Sequence, residues 1–139
     1  MGTRHDSAGR PLPLVNATTK PHFDALREHR FAMQRCPRDG FFFYPRSRCP
    51  HCLGDDWNWE TASGRGVVHS FTIDRAGHLP ALAKLVPYAI AIVELDEGPR
   101  CTARLVDCDV DAVRVGMRVE AAYEEVEGGA VVHFKPAAS

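Results

Sequence analysis

Cysteines 36, 49 and 52 constrain what this 139-residue chain can fold into more than any other feature. Cys49-Pro50-His51-Cys52 is a knuckle, two thiols two residues apart, the spacing at which a tight turn delivers both sulfurs to one tetrahedral ion. Cys36-Pro37-Arg38-Asp39-Gly40 repeats the frame with a carboxylate where the second thiol belongs. Gly40 follows it, a residue tolerant of φ > 0 where the knuckle turns. Two readings fit these residues. Either Cys36, Asp39, Cys49 and Cys52 hold a zinc ion, which a carboxylate oxygen ligates at about 2.0–2.2 Å, or the ribbon has lost its ion and stands on apolar packing with three free thiols. His51 lies inside the knuckle, where side chains point outward, and is a poor substitute donor.

Five cysteines, three of them at ribbon spacing, fit a reducing compartment better than a disulfide framework. Cys101 and Cys108 fall in or beside a predicted strand and read as core or edge thiols. No apolar run reaches the ~18 residues that cross a bilayer, and the first residues lack an apolar leader core, so the expectation is a cytoplasmic protein without membrane partners. The net charge of −1 conceals an asymmetry. From Arg27 to Arg48 six arginines face two acids, whereas from Glu94 to Glu127 ten acids face four arginines. The ribbon end is therefore cationic, which suits a phosphate-bearing ligand or an acidic protein surface; alternatively the arginines merely offset the anionic metal ligands.

Along the chain, residues 1–19 are polar and aperiodic and predict a disordered or extended tail. Residues 20–35 carry Phe23, Leu26, Phe31 and Met33 at roughly helical spacing behind Pro21 and predict a helix. Residues 36–62 form the ribbon module, with the aromatic run Phe41-Phe42-Phe43-Tyr44 between its knuckles and Trp57 and Trp59 at its end. Four aromatics in a row exceed what so small a module can bury, so some must meet another surface. Residues 63–139 read as five strands: Val67–Ile73, with Val67, Phe71 and Ile73 on one face; Tyr88–Leu95, apolar on both faces; Cys101–Val106; and a hairpin of Arg118–Val126 and Val131–Phe134 about Gly128-Gly129. A helical turn falls between the third and fourth strands, over Asp109–Val115. Mainly β, with five strands and that turn, the pattern matches an OB-fold barrel preceded by a helix and a rubredoxin-like zinc ribbon.

The helix, the ribbon, Ser63-Gly-Arg-Gly-Val67, Val86-Pro-Tyr-Ala-Ile-Ala-Ile-Val-Glu-Leu-Asp-Glu-Gly98, Val115-Gly-Met-Arg-Val119 and Phe134-Lys-Pro-Ala137, in this order, resemble the bacterial and archaeal family called domain of unknown function thirty-five. The resemblance covers residues 20 to 137 and implies an accessory subunit for acyl-CoA chemistry. It implies docking on a thiolase-like partner, a thiolase or steroid side-chain aldolase, or on an enoyl-CoA hydratase. It further implies help in holding or passing a CoA thioester, in lipid or sterol degradation. Asp39 departs from the family's four cysteines, which touches the metal more than the fold.

Residue chemistry agrees in outline. Guanidinium forks suit the CoA phosphates, and Arg35, Arg38, Arg46, Arg48 and Arg65 are the candidates. Leu79, Leu82 and Leu85, in the loop from Gly77, either line an apolar slot for the pantetheine arm or pack on the barrel. Phe41, Phe42, Phe43, Tyr44, Trp57 and Trp59 are the candidate partner interface, unless they seal ribbon to barrel. No catalytic constellation stands out: His69 reads as a core or rim residue, while His78 and His133 have no evident carboxylate at useful spacing. A subunit without intrinsic activity is therefore expected. The competing readings are a single-strand nucleic-acid binder and a stand-alone acyl-CoA binder. The acidic barrel half, with only Phe71, Tyr88, Tyr123 and Phe134 as aromatics, argues against the first of these.

Overall fold

A computed structural model describes residues 4–138. The barrel forms where the period-2 patterns predict it: β6 (Arg65–Asp74), β7 (Tyr88–Leu95), β8 (Arg100–Leu105), β9 (Arg118–Val126) and β10 (Gly129–Pro136). These close in the order β6-β7-β8-β10-β9, with β8 and β10 parallel and the other adjacent strands antiparallel. A 3-10 turn at Val110–Ala112 bridges β8 and β9. Ala89, Ala91, Val93 and Leu95 of β7 point inward with Ala103, Val119, Ala130 and Phe134, and the run of small side chains lets a narrow barrel fill without voids. Gly66 is needed where β6 crosses β7, because a Cβ there would lie 2.3 Å from the Glu94 carbonyl oxygen.

The first barrel strand departs from its predicted phase. A bulge between Val68 and Ser70 shifts the register, so Val68 is the buried residue before it, opposite Val93, whereas Phe71 and Ile73 beyond it lie opposite Ala91 and Ala89, and Val67 alone falls on the other face; Phe71 is partly exposed. An extra residue on one strand of a pair flips the alternation beyond it, which strict period-2 counting misses. His69 is accordingly exposed rather than in the core.

The predicted helix over 20–35 is shorter. Helix α1 spans Lys20–Arg27, and the chain leaves it through His29 at φ +57° to enter strand β3 (Phe31–Cys36). Phe31 and Met33 therefore belong to a strand, their spacing of two being strand-like although it continues a helical pattern. Strand β3 is the centre of a three-stranded ribbon sheet with β4 (Gly40–Phe42) and β5 (Asn58–Ala62), so the ribbon starts five residues before the expected boundary. It is buried on both faces, with Arg35 alone exposed. Leu26, Phe31 and Met33 pack into the barrel's own apolar cluster, so helix, ribbon and barrel share one core.

The tail, expected to be disordered or extended, pairs Arg4–His5 (β1) with Pro11–Leu12 (β2); its first three residues lie outside those described. Among the described residues no helix is long and apolar enough to cross a membrane.

His22 sits at the junction of the three parts, 4% exposed, its ring about 5 Å from those of Phe23, Phe31 and Phe43. Its Nδ1 lies 2.9 Å from the Ala32 carbonyl oxygen, which can only accept, so Nδ1 carries the hydrogen. Burial holds the imidazole below its ordinary pKa, partly opposed by the Ala32 carbonyl. The folded chain thus keeps His22 neutral where the unfolded chain, with a pKa of about 6.5, takes up a proton. Stability is complete above that value and falls as pH drops below it. Urea midpoints should decline from pH 7.5 to 5.5, and His22→Gln should flatten that slope; an unchanged slope would remove His22 from the account.

Candidate functional site

The candidate metal-binding cluster is assembled by two turns. Strand β3 ends on Cys36, and Gly40 at φ +82° lets the chain return as β4, leaving Asp39 at the tip. In the second knuckle the Leu53 N–H donates to the Cys49 carbonyl and the Cys49 N–H to Gly54, both at 2.9 Å. Cys36, Asp39, Cys49 and Cys52 converge so that their ligand atoms all lie within 4.8 Å of one another. A tetrahedral zinc with bonds of ~2.3 Å to sulfur and ~2.0–2.2 Å to oxygen needs S···S edges of ~3.8 Å and S···O edges of ~3.5 Å. The Cys36 and Cys52 sulfurs are 3.7 Å apart, and Asp39 Oδ2 lies 3.6 Å from Cys36 Sγ and 3.5 Å from Cys49 Sγ. The donor set fits a metal ion in both chemistry and spacing. His51 contributes only its backbone N–H, 3.4 Å from Cys49 Sγ.

Two of the four donors, Cys36 and Asp39, are shifted toward the charged form a cation needs. Backbone N–H groups of Arg38 and Asp39 hold the Cys36 thiol below its ordinary pKa. Hydrogen bonds from Cys52, and less from Cys49 and Cys36, hold the Asp39 carboxyl below the usual carboxylate range. For Cys52 the Gly54 N–H favours the thiolate, but burial and the hydrogen bonds with Cys36, Cys49 and Asp39 outweigh it and push the thiol up to about 11. Buried Phe42 closes the cluster from below, with Trp57 edge-on to it. Gln34 is an unforeseen support. Wholly buried in β3, it accepts from the Arg46 N–H at 2.8 Å and donates to the Arg46 carbonyl at 2.6 Å, pinning the loop between knuckles.

The aromatic stripe divides. Phe42 is 3% exposed and cannot meet a partner, which corrects its place in the expected interface. Phe43 packs on His22 and Phe31 and seals the ribbon to the barrel. Tyr44 is 48% exposed, and its hydroxyl accepts from the Thr102 N–H of β8 at 2.8 Å. Phe41, Trp57 and Trp59 are half-buried, with Arg35 stacked over Phe41 and paired to Glu60 at 3.2 Å.

The arginines divide as well. Arg35 and Arg46 line one cleft of about 680 Å³ with His51 and Arg100 of β8, a residue not among the expected five. Arg38, Arg48 and Arg65 do not line that cleft: Arg48 donates to the Leu53 carbonyl at 3.1 Å, and Arg65 stands by Asp96, which Arg118 grips at 2.8 and 3.0 Å.

On the barrel's outer face an apolar trough of about 460 Å³ is walled by Leu82 and Leu85, by Tyr88 and Ile90 of β7, and by Val131 and Val132 of β10. A second, about 400 Å³, shares Pro13, Thr102, Val131 and Val132 with it and runs on to Phe43 and Tyr44. OB folds bind ligands with this second-and-third-strand face and its flanking loops. Leu82 and Leu85 line the slot as one reading of the loop expected; Leu79 is 49% exposed.

His133 closes one end of the trough, its Nε2 2.6 Å from Glu124 Oε1, while Glu124 Oε2 takes Arg10 Nη1 at 3.1 Å. Burial works against the Glu124 carboxylate, but the bonds from His133 and Arg10 prevail and hold its pKa below the ordinary value. This corrects the expectation that His133 lacks a carboxylate. The Gly128-Gly129 turn pairs His133 with Ala122, which puts Glu124, two residues on, on the same face; the hairpin register carried that signal.

Residues 23–58 match the family model described as "ChsH2, rubredoxin-like zinc ribbon domain", and residues 59–124 match "ChsH2, C-terminal OB-fold domain". A DUF35 domain-containing scaffold protein of Methanothermobacter thermautotrophicus is 36% identical over 111 residues, 73% of this chain and 83% of that protein. A probable enoyl-CoA hydratase alpha subunit of Thermomonospora curvata is 37% identical over 111 residues, which are 79% of this chain but 34% of that subunit. The chain thus spans about a third of that relative's length. Among solved structures, a chain of an Ltp2-ChsH2(DUF35) aldolase superposes with a TM-score of 0.80 and 32% identity, covering 91% of this chain and 100% of that one.

Proposed function

We propose, from the premise that this chain belongs to the DUF35 family of zinc-ribbon and OB-fold scaffold proteins, that it is an accessory subunit of an acyl-CoA enzyme. It docks on a thiolase-like partner, a thiolase or aldolase, and supports the binding or transfer of a CoA thioester without breaking bonds itself. The observation that carries this reading is the match of nearly the whole chain to a chain of an assembled aldolase. The name of the hydratase subunit it resembles points to CoA thioesters as well.

The barrel's ligand face supports an acyl or pantetheine arm over nucleic acid. Single-strand binders stack bases on several aromatics within a basic groove, whereas this trough is walled mainly by leucine, isoleucine and valine, has Tyr88 as its one phenylalanine-type ring, and sets Glu124 against Arg10 and His133, with Arg104 its other cation. The cleft of Arg35, Arg46 and Arg100 is the place for the ligand's phosphates. Tyr44, Phe41, Trp57 and Trp59 remain for the partner. In the ribbon, Cys36, Asp39, Cys49 and Cys52 hold a zinc ion whose work is structural, since four protein donors leave no open position.

Co-expression with a thiolase-like protein encoded beside it should give a complex stable through size exclusion, more active on acyl-CoA than the thiolase alone. A Trp59→Ala, Tyr44→Ala double variant should weaken that complex at least tenfold, as expected when interface aromatics are truncated. A thiolase that neither binds the chain nor changes rate would defeat the proposal.

A further inference from the structure

The amino-terminal arm is lightly anchored, and its residues 10–13 line the trough on the barrel's outer face. None of residues 4–21 is buried as a whole residue, although the Asp6 side chain is only 7% exposed beneath Arg10. The arm is structured by its own bonds. Asp6 Oδ1 accepts from the N–H groups of Ala8 and Arg10, both at 2.9 Å, while Arg4–His5 pairs with Pro11–Leu12. Its polar hold on the barrel runs through two acids of the β9–β10 hairpin. Arg10 meets Glu124 at 3.1 Å, and the Ser7 N–H reaches both oxygens of Glu127 at 3.1 and 3.2 Å. Pro11, Leu12 and Pro13 then line the trough, and Pro13 walls both of its halves.

Segments that bury little apolar surface and are held by a few partly exposed polar contacts sit at the low end of local stability, because the entropy of ordering them is barely offset. Glu124 is shared between Arg10 of the arm and His133 of the trough, so the arm is latched to the trough's own polar end. We propose that residues 4–15 are a cover in cis, a built-in competitor that lies over the trough until a linear apolar chain displaces it. This rests on the reading of the trough as the site of an acyl or pantetheine arm.

The test compares the full chain, a variant lacking residues 1–15 and full-length Arg10→Met, using two probes: an anilinonaphthalene sulfonate dye and decanoyl-pantetheine. Removing the arm should lower Kd for both probes at least tenfold, and Arg10→Met should lower it about threefold. Equal or weaker dye binding in both variants would make the arm a fixed wall and overturn the cover. Tighter dye binding in both, with decanoyl-pantetheine bound by none of the three proteins, would uphold the cover and remove the acyl reading. Decanoyl-pantetheine bound equally tightly by all three would uphold that reading and overturn the cover.

Discussion

Purified without chelator, the protein is expected to carry about one zinc ion per chain, and Cys49→Ser is expected to abolish its retention. Structural zinc sites in small modules bind with apparent free energies of about 10–16 kcal/mol at neutral pH, and most of that energy is folding energy. The knuckle end of the ribbon has only the small cluster of Cys36, Phe42 and Cys49 to hold it, the rest of the sheet being anchored in the barrel core through Phe31 and Met33. Asp39→Ala should weaken zinc at least a hundredfold, beyond the ~10–100-fold typical of outer-shell changes. Asp39→Cys should restore and exceed native retention, because thiolate is the softer donor for zinc. Elemental analysis and competition with a chromogenic chelator read all three. Wild-type protein with no zinc, or Asp39→Ala with unchanged affinity, would leave the ribbon standing on packing alone.

Phe31→Ala should cost about 3–5 kcal/mol, the usual penalty for emptying a buried aromatic site. Phe31 is 1% exposed and stands at the seam, its ring 5.5 Å from Phe43 of the ribbon loop, 5.4 Å from His22 of α1 and 6.3 Å from Phe134 of the barrel. One side chain thus fills space that belongs to three elements. In urea, the fluorescence of Trp57 and Trp59 reports the ribbon and far-ultraviolet dichroism reports mainly the barrel. The two should move together to lower denaturant, as cooperative unfolding requires. A ribbon signal that melts early while the barrel midpoint stays put would show two folding units.

Much of this architecture was legible because its causes are local. Two knuckles and a glycine declare the ribbon, alternation declares the strands, and Gly128-Gly129 declares the last hairpin. What escaped depends on contacts between distant segments. The helix gives way to β3 after Arg27 because Phe31 and Met33 are wanted by the barrel core, and propensity along 20–35 cannot say so. The bulge in β6 is a matter of register with β7, invisible in one strand alone. Arg100 joins Arg35 and Arg46 only because the β7–β8 turn folds against the knuckles. Phe42 and Tyr44 have opposite fates for a simpler reason: residues two apart on a strand share a face only while the strand lasts, and β4 ends at Phe42.

Residues 42 to 44 tie the two ends of the molecule together. Phe42 backs the thiolate cluster, Phe43 fills the seam, and the Tyr44 hydroxyl holds the Thr102 amide in the wall that both halves of the trough share. If a zinc ion and an acyl chain bind as proposed, both bear on these three residues, and any coupling between the two sites is by thermodynamic reciprocity equal in both directions.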